Sequence, residues 1–191
     1  VEVATQALDN LQPTAASHNR IMILEVMGRD AGHIAMVTGI AGGADVILIP
    51  EIPYRIEHVV RKIEAVKETG RGFVLIVVAE SVPNESGTKV VQKYAGGASR
   101  YGGIAHFLGE RLAEITKSEV RVTVLGHVQR GAAPDSRDRL MASVFGVHAV
   151  DLVAAGKFGR MVAWQNRNVV DVALEDVIAA PATVDPDGPI V

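Results

Sequence analysis

Short apolar runs alternate with longer amphipathic segments along most of this chain. The runs are rich in valine and isoleucine, which is typical of strands that are buried on both faces of a parallel sheet. They predict strands at residues 21–26, 46–49, 73–79 and 120–125, with a further short strand at 161–164. Residues 81–103 are polar and rich in glycine, and they are predicted to be irregular. The run 95–103 is interpreted as a mobile loop rather than a phosphate cradle, because no predicted strand precedes it.

The segments between these runs show the apolar spacing of helices. The clearest is residues 56–68, in which Val59 and Ile63 lie on one face and charged residues occupy the other. Similar spacing predicts helices at residues 3–11, 33–40, 104–115 and 138–155, with a last helical turn at 174–179. Pro13 is expected to end the first helix, and the proline-rich tail, residues 181–191, is expected to be loose.

Strands that alternate with helices in this way are typical of an α/β fold. We therefore predict a doubly wound, mainly parallel sheet with helices on both faces, which is a Rossmann-like three-layer arrangement. In such a fold the turns that follow the strands lie along one edge of the sheet, where ligands bind. The residues that follow the predicted strands are thus the first candidates for a binding site.

Composition excludes several classes of site and partner. The 191 residues include no cysteine, which rules out disulfides, thiolate metal sites and cysteine nucleophiles. The formal net charge is −3 and the basic residues form no block, so no nucleic-acid partner is expected. No apolar run approaches the roughly 20 residues of a membrane span, and the first residues lack the pattern of a secretory signal. A cytoplasmic protein without a membrane partner is therefore expected.

The turn at residues 27–32 is the first candidate for an anion site. It joins the first predicted strand to the helix predicted at 33–40, and the N-terminus of a helix offers unpaired N–H groups to an anion. Arg29 adds a guanidinium, whose paired N–H donors suit a phosphate group. The alternative is that Gly28 and Gly32 only form a tight turn and that Arg29 only pairs with a nearby carboxylate.

Polar residues also follow two of the other predicted strands. Glu80 ends the strand at 73–79, while His127 and Arg130 follow the strand at 120–125. In a parallel sheet these residues would share one edge with Arg29, where the cations could bind a phosphate and the carboxylate could accept from sugar hydroxyls. The alternatives are that Glu80 caps a loop and that His127 is a core histidine bonded to the backbone.

Several stretches of this sequence resemble motifs of the phosphofructokinase family. The matching residues are EVMGR at 25–29 with Gly32 and AGG at 41–43, VLGHVQRG at 124–131 with Asp138 and Arg139, SHNR at 17–20, and Glu80. The likeness extends from residue 17 to about residue 168. It implies a glycolytic kinase that transfers a phosphoryl group to the 1-hydroxyl of fructose 6-phosphate.

The resemblance also implies roles for the matching positions. Arg29 would be catalytic and would stabilise the phosphoryl group during transfer. The substrate-binding residues would be Met27 and Gly28, which line the fructose 6-phosphate pocket, Glu80, which accepts from sugar hydroxyls, and His127 and Arg130, which hold the 6-phosphate.

Two further arginines, Arg20 and Arg121, would by the same resemblance bind the 6-phosphate held by a neighbouring subunit. Arg20 precedes the first predicted strand while Arg29 follows it, and a strand of this length separates them by roughly 20 Å or more. An arginine cannot cover that distance within its own chain. The alternative is that both arginines are solvated charges at the strand edge. The resemblance favours the contact between subunits and implies a homodimer or homotetramer, because a two-fold axis gives each subunit the same contact.

The motifs with which enzymes of this family bind the phosphoryl donor have no counterpart in this sequence. Its Gly-Gly-Asp phosphate loop and its aspartate-containing motif with the catalytic base are missing, so no metal ligand is assigned in this chain. The resemblance thus implies that Mg²⁺ and the donor, ATP or pyrophosphate, bind to a part of a longer enzyme outside this sequence. Residues 1–133 would form the sugar-phosphate domain, and residues 134–191 a crossover helix and tail that return to the donor domain.

Two other functions are considered for the same residues. A non-catalytic sugar-phosphate-binding module would keep the strand-end residues but lack the chemistry. A dinucleotide-binding domain fits less well, because the turn at residues 28–32 lacks the G-x-G-x-x-G spacing.

Overall fold

The computed structural model describes residues 1–93 and 99–191, which form two compact units. The first unit comprises residues Val1–Gly131 and Thr183–Val191, and the second comprises Ala132–Ala182. The strands are β1 (Ile21–Val26), β2 (Val46–Leu48), β3 (Val74–Ala79), β4 (Val91–Lys93), β5 (Ser99–Tyr101), β6 (Val120–Val124), β7 (Arg160–Gln165) and β8 (Asn168–Ala173). The helices are α1 (Glu2–His18), α2 (His33–Ala41), α3 (Ile56–Glu68), α4 (Ile104–Thr116), α5 (Ser136–Ala154) and α6 (Leu174–Ala179), with a 3₁₀ helix at Gly126–Arg130.

A parallel sheet in the order β2-β3-β1-β6 forms the centre of the first unit. Every residue of β1 and β3 is buried, because helices cover both faces of the sheet. Helices α1 and α2 contact each other, as do α3 and α4, and the apolar faces of all four helices join one core with the sheet. The predicted doubly wound α/β fold is therefore confirmed.

The register of the sheet decides where the strand-end residues lie. Ile21 of β1 is level with Val74 of β3 and with Val120 of β6. Since the three strands run in parallel and start level, the segments that follow them leave the sheet along the same edge.

Helix α1 continues through Pro13 to His18, so the prediction that Pro13 ends it was wrong. A proline inside a helix removes one backbone donor, here the one that would bond the carbonyl of Asp9. Asp9 and Pro13 both lie on the exposed side of α1, where water can bond that carbonyl. Burial of Leu8 and Ala15 on the opposite side holds the helix against the core.

Two other segments differ from the sequence-based expectation. The tail is not loose throughout, because Val184 is 4% exposed in the core and its N–H donates to Glu51 Oε1 at 2.9 Å. The stretch predicted to be irregular contains an antiparallel hairpin of β4 and β5. The predicted mobile loop at 95–103 lies partly outside the described residues, which resume with β5 at Ser99.

The second unit contains α5, the antiparallel pair β7–β8 and α6. A capping box begins α5: the Asp135 side chain accepts from the N–H of Asp138 at 2.8 Å, and the Asp138 side chain accepts from the N–H of Asp135 at 3.1 Å. Strand β8 was not predicted. The two residues between β7 and β8, Asn166 and Arg167, both have positive φ, as a tight hairpin turn requires, but arginine is an unusual residue there.

Candidate active site

A cavity of about 850 Å³ lies at the carboxyl edge of the central sheet. The turns after β1, β3 and β6 contribute to its wall, together with part of the β4–β5 hairpin. All six residues predicted for the catalytic and substrate-binding roles within one chain line it: Met27, Gly28, Arg29, Glu80, His127 and Arg130. The predicted gathering of these side chains at one sheet edge is therefore confirmed, while their roles stay predictions.

The turn after β1 places Arg29 at the cavity in a strained conformation. Arg29 has φ 54°, in the left-handed region, which costs a non-glycine residue on the order of 1 kcal/mol. Glu80 Oε1 accepts from the N–H groups of Gly28 at 3.2 Å and Arg29 at 3.0 Å. At Gly28 a Cβ atom would lie 2.4 Å from the carbonyl oxygen of Ala31, so only glycine fits this turn.

These contacts give Glu80 a structural role in the turn after β1. Its carboxylate accepts from two backbone N–H groups of the turn after β1 through Oε1. Glu80 therefore holds the Arg29 turn in place through Oε1. The alternative that Arg29 only pairs with a carboxylate finds no support, because no ion pair among the described residues includes Arg29.

His127 and Arg130 both belong to the 3₁₀ helix Gly126–Arg130, which follows β6 directly. Both side chains are exposed and line the cavity. His127 is thus not the buried core histidine of the alternative interpretation.

Gln129 is a site residue that the sequence analysis missed. It lines the cavity, and its Oε1 accepts from the N–H of Met27 at 2.8 Å. This bond joins the turn after β1 to the 3₁₀ helix after β6, just as Glu80 joins it to the end of β3. Its position in the sequence between His127 and Arg130 could have indicated a site residue. A neutral amide side chain, however, did not by itself indicate a binding or catalytic role.

Glu25 is a second residue whose importance only the structure reveals. It is 2% exposed, and its carboxylate accepts from the N–H of Gly103 at 3.1 Å and of Ala105 at 2.9 Å, at the start of α4. Burial raises the pKa of this carboxyl, while its backbone hydrogen bonds act in the opposite direction. Glu25 therefore anchors the segment that leads from β5 into α4.

The β4–β5 hairpin forms another wall of the cavity through Arg100 and Tyr101. Asp30, next to Arg29, accepts from Lys89 Nζ at 2.7 Å and from the Tyr101 hydroxyl at 2.9 Å. These hydrogen bonds, that from Lys89 first, lower the pKa of Asp30, and the bond with Asp30 raises the pKa of Lys89. Arg100 Nη1 lies 3.5 Å from His127 Nε2.

Arg20 and Arg121 lie at the opposite edge of the sheet. Arg20 directly precedes β1, and Arg121 is level with Met22 near the start of β6. Both form ion pairs with Glu119, Arg20 at 3.0 Å, and neither lines the cavity. Their hydrogen-bonded partner Glu119 has a lowered pKa, mainly because of Arg20. The role predicted for them at a neighbouring subunit stays a prediction.

Within the described residues, no three histidine, aspartate or glutamate side chains lie where they could share a metal ion. The helices of the same residues include none that is long and apolar enough to cross a membrane.

A family model named phosphofructokinase matches residues 1–153. The chain belongs to the phosphofructokinase family. It is 56% identical over 99% of its length to ATP-dependent 6-phosphofructokinase 1 of Synechocystis sp., of which it covers 52%. A similar relative is ATP-dependent 6-phosphofructokinase 1 of Nostoc sp., at 51% identity over the whole chain and 53% of that protein. The chain thus spans about half the length of the curated relatives it matches.

Solved structures agree with the family membership. The structure of phosphofructokinase from Saccharomyces cerevisiae matches with a TM-score of 0.76 and 27% identity, over 92% of this chain and 22% of that one.

Proposed function

We propose that this chain is the fructose 6-phosphate-binding part of an ATP-dependent 6-phosphofructokinase. The observation that carries the proposal is the cavity in which Arg29, Glu80, His127 and Arg130 meet from three neighbouring strands. The substrate is a phosphorylated sugar, and the cavity offers cations for its phosphate and a carboxylate for its hydroxyls.

Each residue then has a separate task. Arg130 and His127, which belong to the 3₁₀ helix, bind the 6-phosphate. Glu80 accepts from sugar hydroxyls through Oε2, while its other oxygen fixes the turn of Met27 and Gly28 against the substrate.

Arg29 is the catalytic residue in this proposal. Phosphoryl transfer is catalysed mainly by positioning and by neutralising charge on the transferred group. The strained backbone of Arg29 is fixed by Glu80, so its guanidinium can be aimed before the substrate arrives. The group that accepts the proton of the 1-hydroxyl is assigned to a part of the enzyme outside this chain.

The donor in this proposal is ATP, because the relatives at about half identity or more are named ATP-dependent enzymes. The donor and Mg²⁺ would bind to a donor domain outside the described residues. The second unit, with its helix α5, would connect to that donor domain. A cytoplasmic location stays a prediction from composition.

We further propose that the enzyme is a homodimer or homotetramer in which Arg20 and Arg121 bind the 6-phosphate of a neighbouring subunit. Support comes from their position at the amino edge of the sheet, away from the cavity of their own chain. A two-fold axis would give both subunits the same contact.

The experiment compares the full-length enzyme that contains this chain with the chain alone. The full-length enzyme should phosphorylate fructose 6-phosphate with Mg²⁺ and ATP, whereas the chain alone should show no turnover because it lacks a donor site. Calorimetric titration of the full-length enzyme should detect fructose 6-phosphate but much weaker binding of fructose. Equal binding of both sugars would contradict the phosphate assignment, and turnover by the chain alone would contradict the missing donor site.

The non-catalytic alternative is tested by the same assay. A full-length protein that binds fructose 6-phosphate without any turnover, with ATP or with pyrophosphate, would favour a sugar-phosphate-binding module over an enzyme.

A further inference from the structure

The β4–β5 hairpin brings an additional cation to the cavity. Arg100 of β5 lines the cavity together with Arg29, His127 and Arg130. It also lines a second, smaller cavity of about 110 Å³ that includes Glu80 and His127. Its guanidinium thus lies at the phosphate-binding end of the proposed site, beside His127.

The contact between Arg100 and His127 fixes the direction of one hydrogen bond. Arg100 Nη1 lies 3.5 Å from His127 Nε2, and a guanidinium can only donate. A hydrogen bond in this contact therefore needs His127 Nε2 as its acceptor. Arg130, in the same 3₁₀ helix as His127, also lines this cavity with a guanidinium.

A phosphate monoester carries a charge of about −1.5 to −2 at neutral pH. Within one chain Arg130 balances only part of this charge, since Arg20 and Arg121 are proposed to reach it from a neighbouring subunit. Arg100 adds a guanidinium from the same chain as His127, and its planar set of donors suits phosphate oxygens.

Contacts with the Arg29 turn position the hairpin. Tyr101, the next residue along β5, donates its hydroxyl to Asp30 at 2.9 Å. Lys89 donates to Asp30 at 2.7 Å and lies 4.7 Å from the centre of the Tyr101 ring. Successive residues of a strand point to opposite sides, so the bond from Tyr101 to Asp30 sets the side on which Arg100 meets His127.

We propose that Arg100 is a further phosphate-binding residue of this site and that Tyr101, through Asp30, is its positioning residue. The inference rests on the proposed function, since the phosphate is the 6-phosphate of the sugar. It adds to the site a segment that carries no motif recognised in the sequence.

The test uses the full-length enzyme and the variant Arg100→Gln. The KM for fructose 6-phosphate should rise about 10- to 100-fold, as expected for the loss of hydrogen bonds between charged groups, and kcat should change less than about threefold. Arg61→Gln is the matched control, because Arg61 is an exposed arginine of α3 that does not line the cavity. Arg100→Lys, which keeps the charge but loses the planar donors, should fall between the two.

Tyr101→Phe tests the positioning role. It should raise KM by roughly threefold in the wild-type background and should add nothing in the Arg100→Gln background, because a residue that acts through Arg100 has no effect once Arg100 is gone. Equal effects in both backgrounds would show a merely structural role and contradict the positioning.

Two outcomes separate this inference from the proposed function. If the wild-type enzyme neither binds nor phosphorylates fructose 6-phosphate, the proposed function fails and the inference fails with it. If the wild-type enzyme is active and Arg100→Gln has a KM within twofold of wild type, only the inference is overturned.

Discussion

The two edges of the central sheet both carry arginines, yet their surroundings differ. At the amino edge, Arg20 and Arg121 share the carboxylate of Glu119. At the carboxyl edge, Glu80 accepts from backbone N–H groups, and no ion pair of the described residues includes Arg29. The Arg29 guanidinium at the carboxyl edge is thus outside the ion pairs of the described residues, while the charges of Arg20 and Arg121 at the amino edge are partly neutralised within the chain.

The difference indicates that the bonding of a nearby acid affects what a strand-end arginine can do. At the carboxyl edge, Glu80 is bonded to the backbone and stabilises the turn after β1, and it forms no ion pair with Arg29. A carboxylate on the surface pairs with the arginine, and a ligand or a neighbouring subunit must then compete with it. The predictions below test this comparison in the full-length enzyme.

The largest effect is expected for Arg29→Ala. Loss of a group that stabilises transition-state charge typically lowers kcat about 10²- to 10³-fold, and KM should change much less. Alanine keeps a Cβ at the strained position, so the change removes the guanidinium without relieving the backbone. Steady-state kinetics check the prediction, with Arg61→Ala as the control. A rise in KM at constant kcat would make Arg29 a binding residue.

The next largest effect is expected for Arg121→Ala at the amino edge. If Arg121 serves a neighbouring subunit, KM for fructose 6-phosphate should rise about 10- to 100-fold while kcat falls much less. The same kinetics should be measured for Glu119→Gln, which would release Arg121 and leave KM unchanged or lower. An unchanged KM for Arg121→Ala would contradict the contact across subunits.

A smaller effect is expected for Glu80→Gln, which weakens the acceptor of two backbone N–H groups and places an amide where Oε2 lies. KM should rise roughly 10-fold, in line with the loss of charged hydrogen bonds. The matched control is Glu51→Gln: Glu51 also follows a strand and accepts from a backbone N–H, that of Gly32 at 2.9 Å, but it does not line the cavity. Similar KM values for the two variants would remove the distinction between a site acid and a structural acid.

The smallest effect concerns the pH dependence of stability at Glu25. Its pKa is raised in the folded protein, so the folded state binds the proton more tightly than the unfolded state. The free energy of unfolding should therefore fall as pH rises from the usual carboxyl pKa of about 4.3 to the raised value, and become flat above it. Denaturant titrations across this range should show the slope in wild type but not in Glu25→Gln.

Local patterns were sufficient for the main elements of the fold. The strand Ile21–Val26 and the helix Ile56–Glu68 have the predicted bounds, because a short, mostly apolar run and a single apolar face are strong local signals. The predictions failed where tertiary packing had a larger effect than the local sequence signal. Helix α1 continues past Pro13 because Ala15 is buried, and part of the proline-rich tail is ordered because Val184 packs in the core.

The sequence by itself determined the α/β class, the edge of the sheet that carries the site and the charged residues gathered there. These follow from the period of apolar residues and from the common direction of parallel strands. Only the tertiary structure decided which groups are already bonded: Glu80 to the Arg29 turn, Gln129 to Met27 and Glu25 to the start of α4. Such partners are distant in sequence, so no local pattern carries them, and the same distance separates Arg100 from His127.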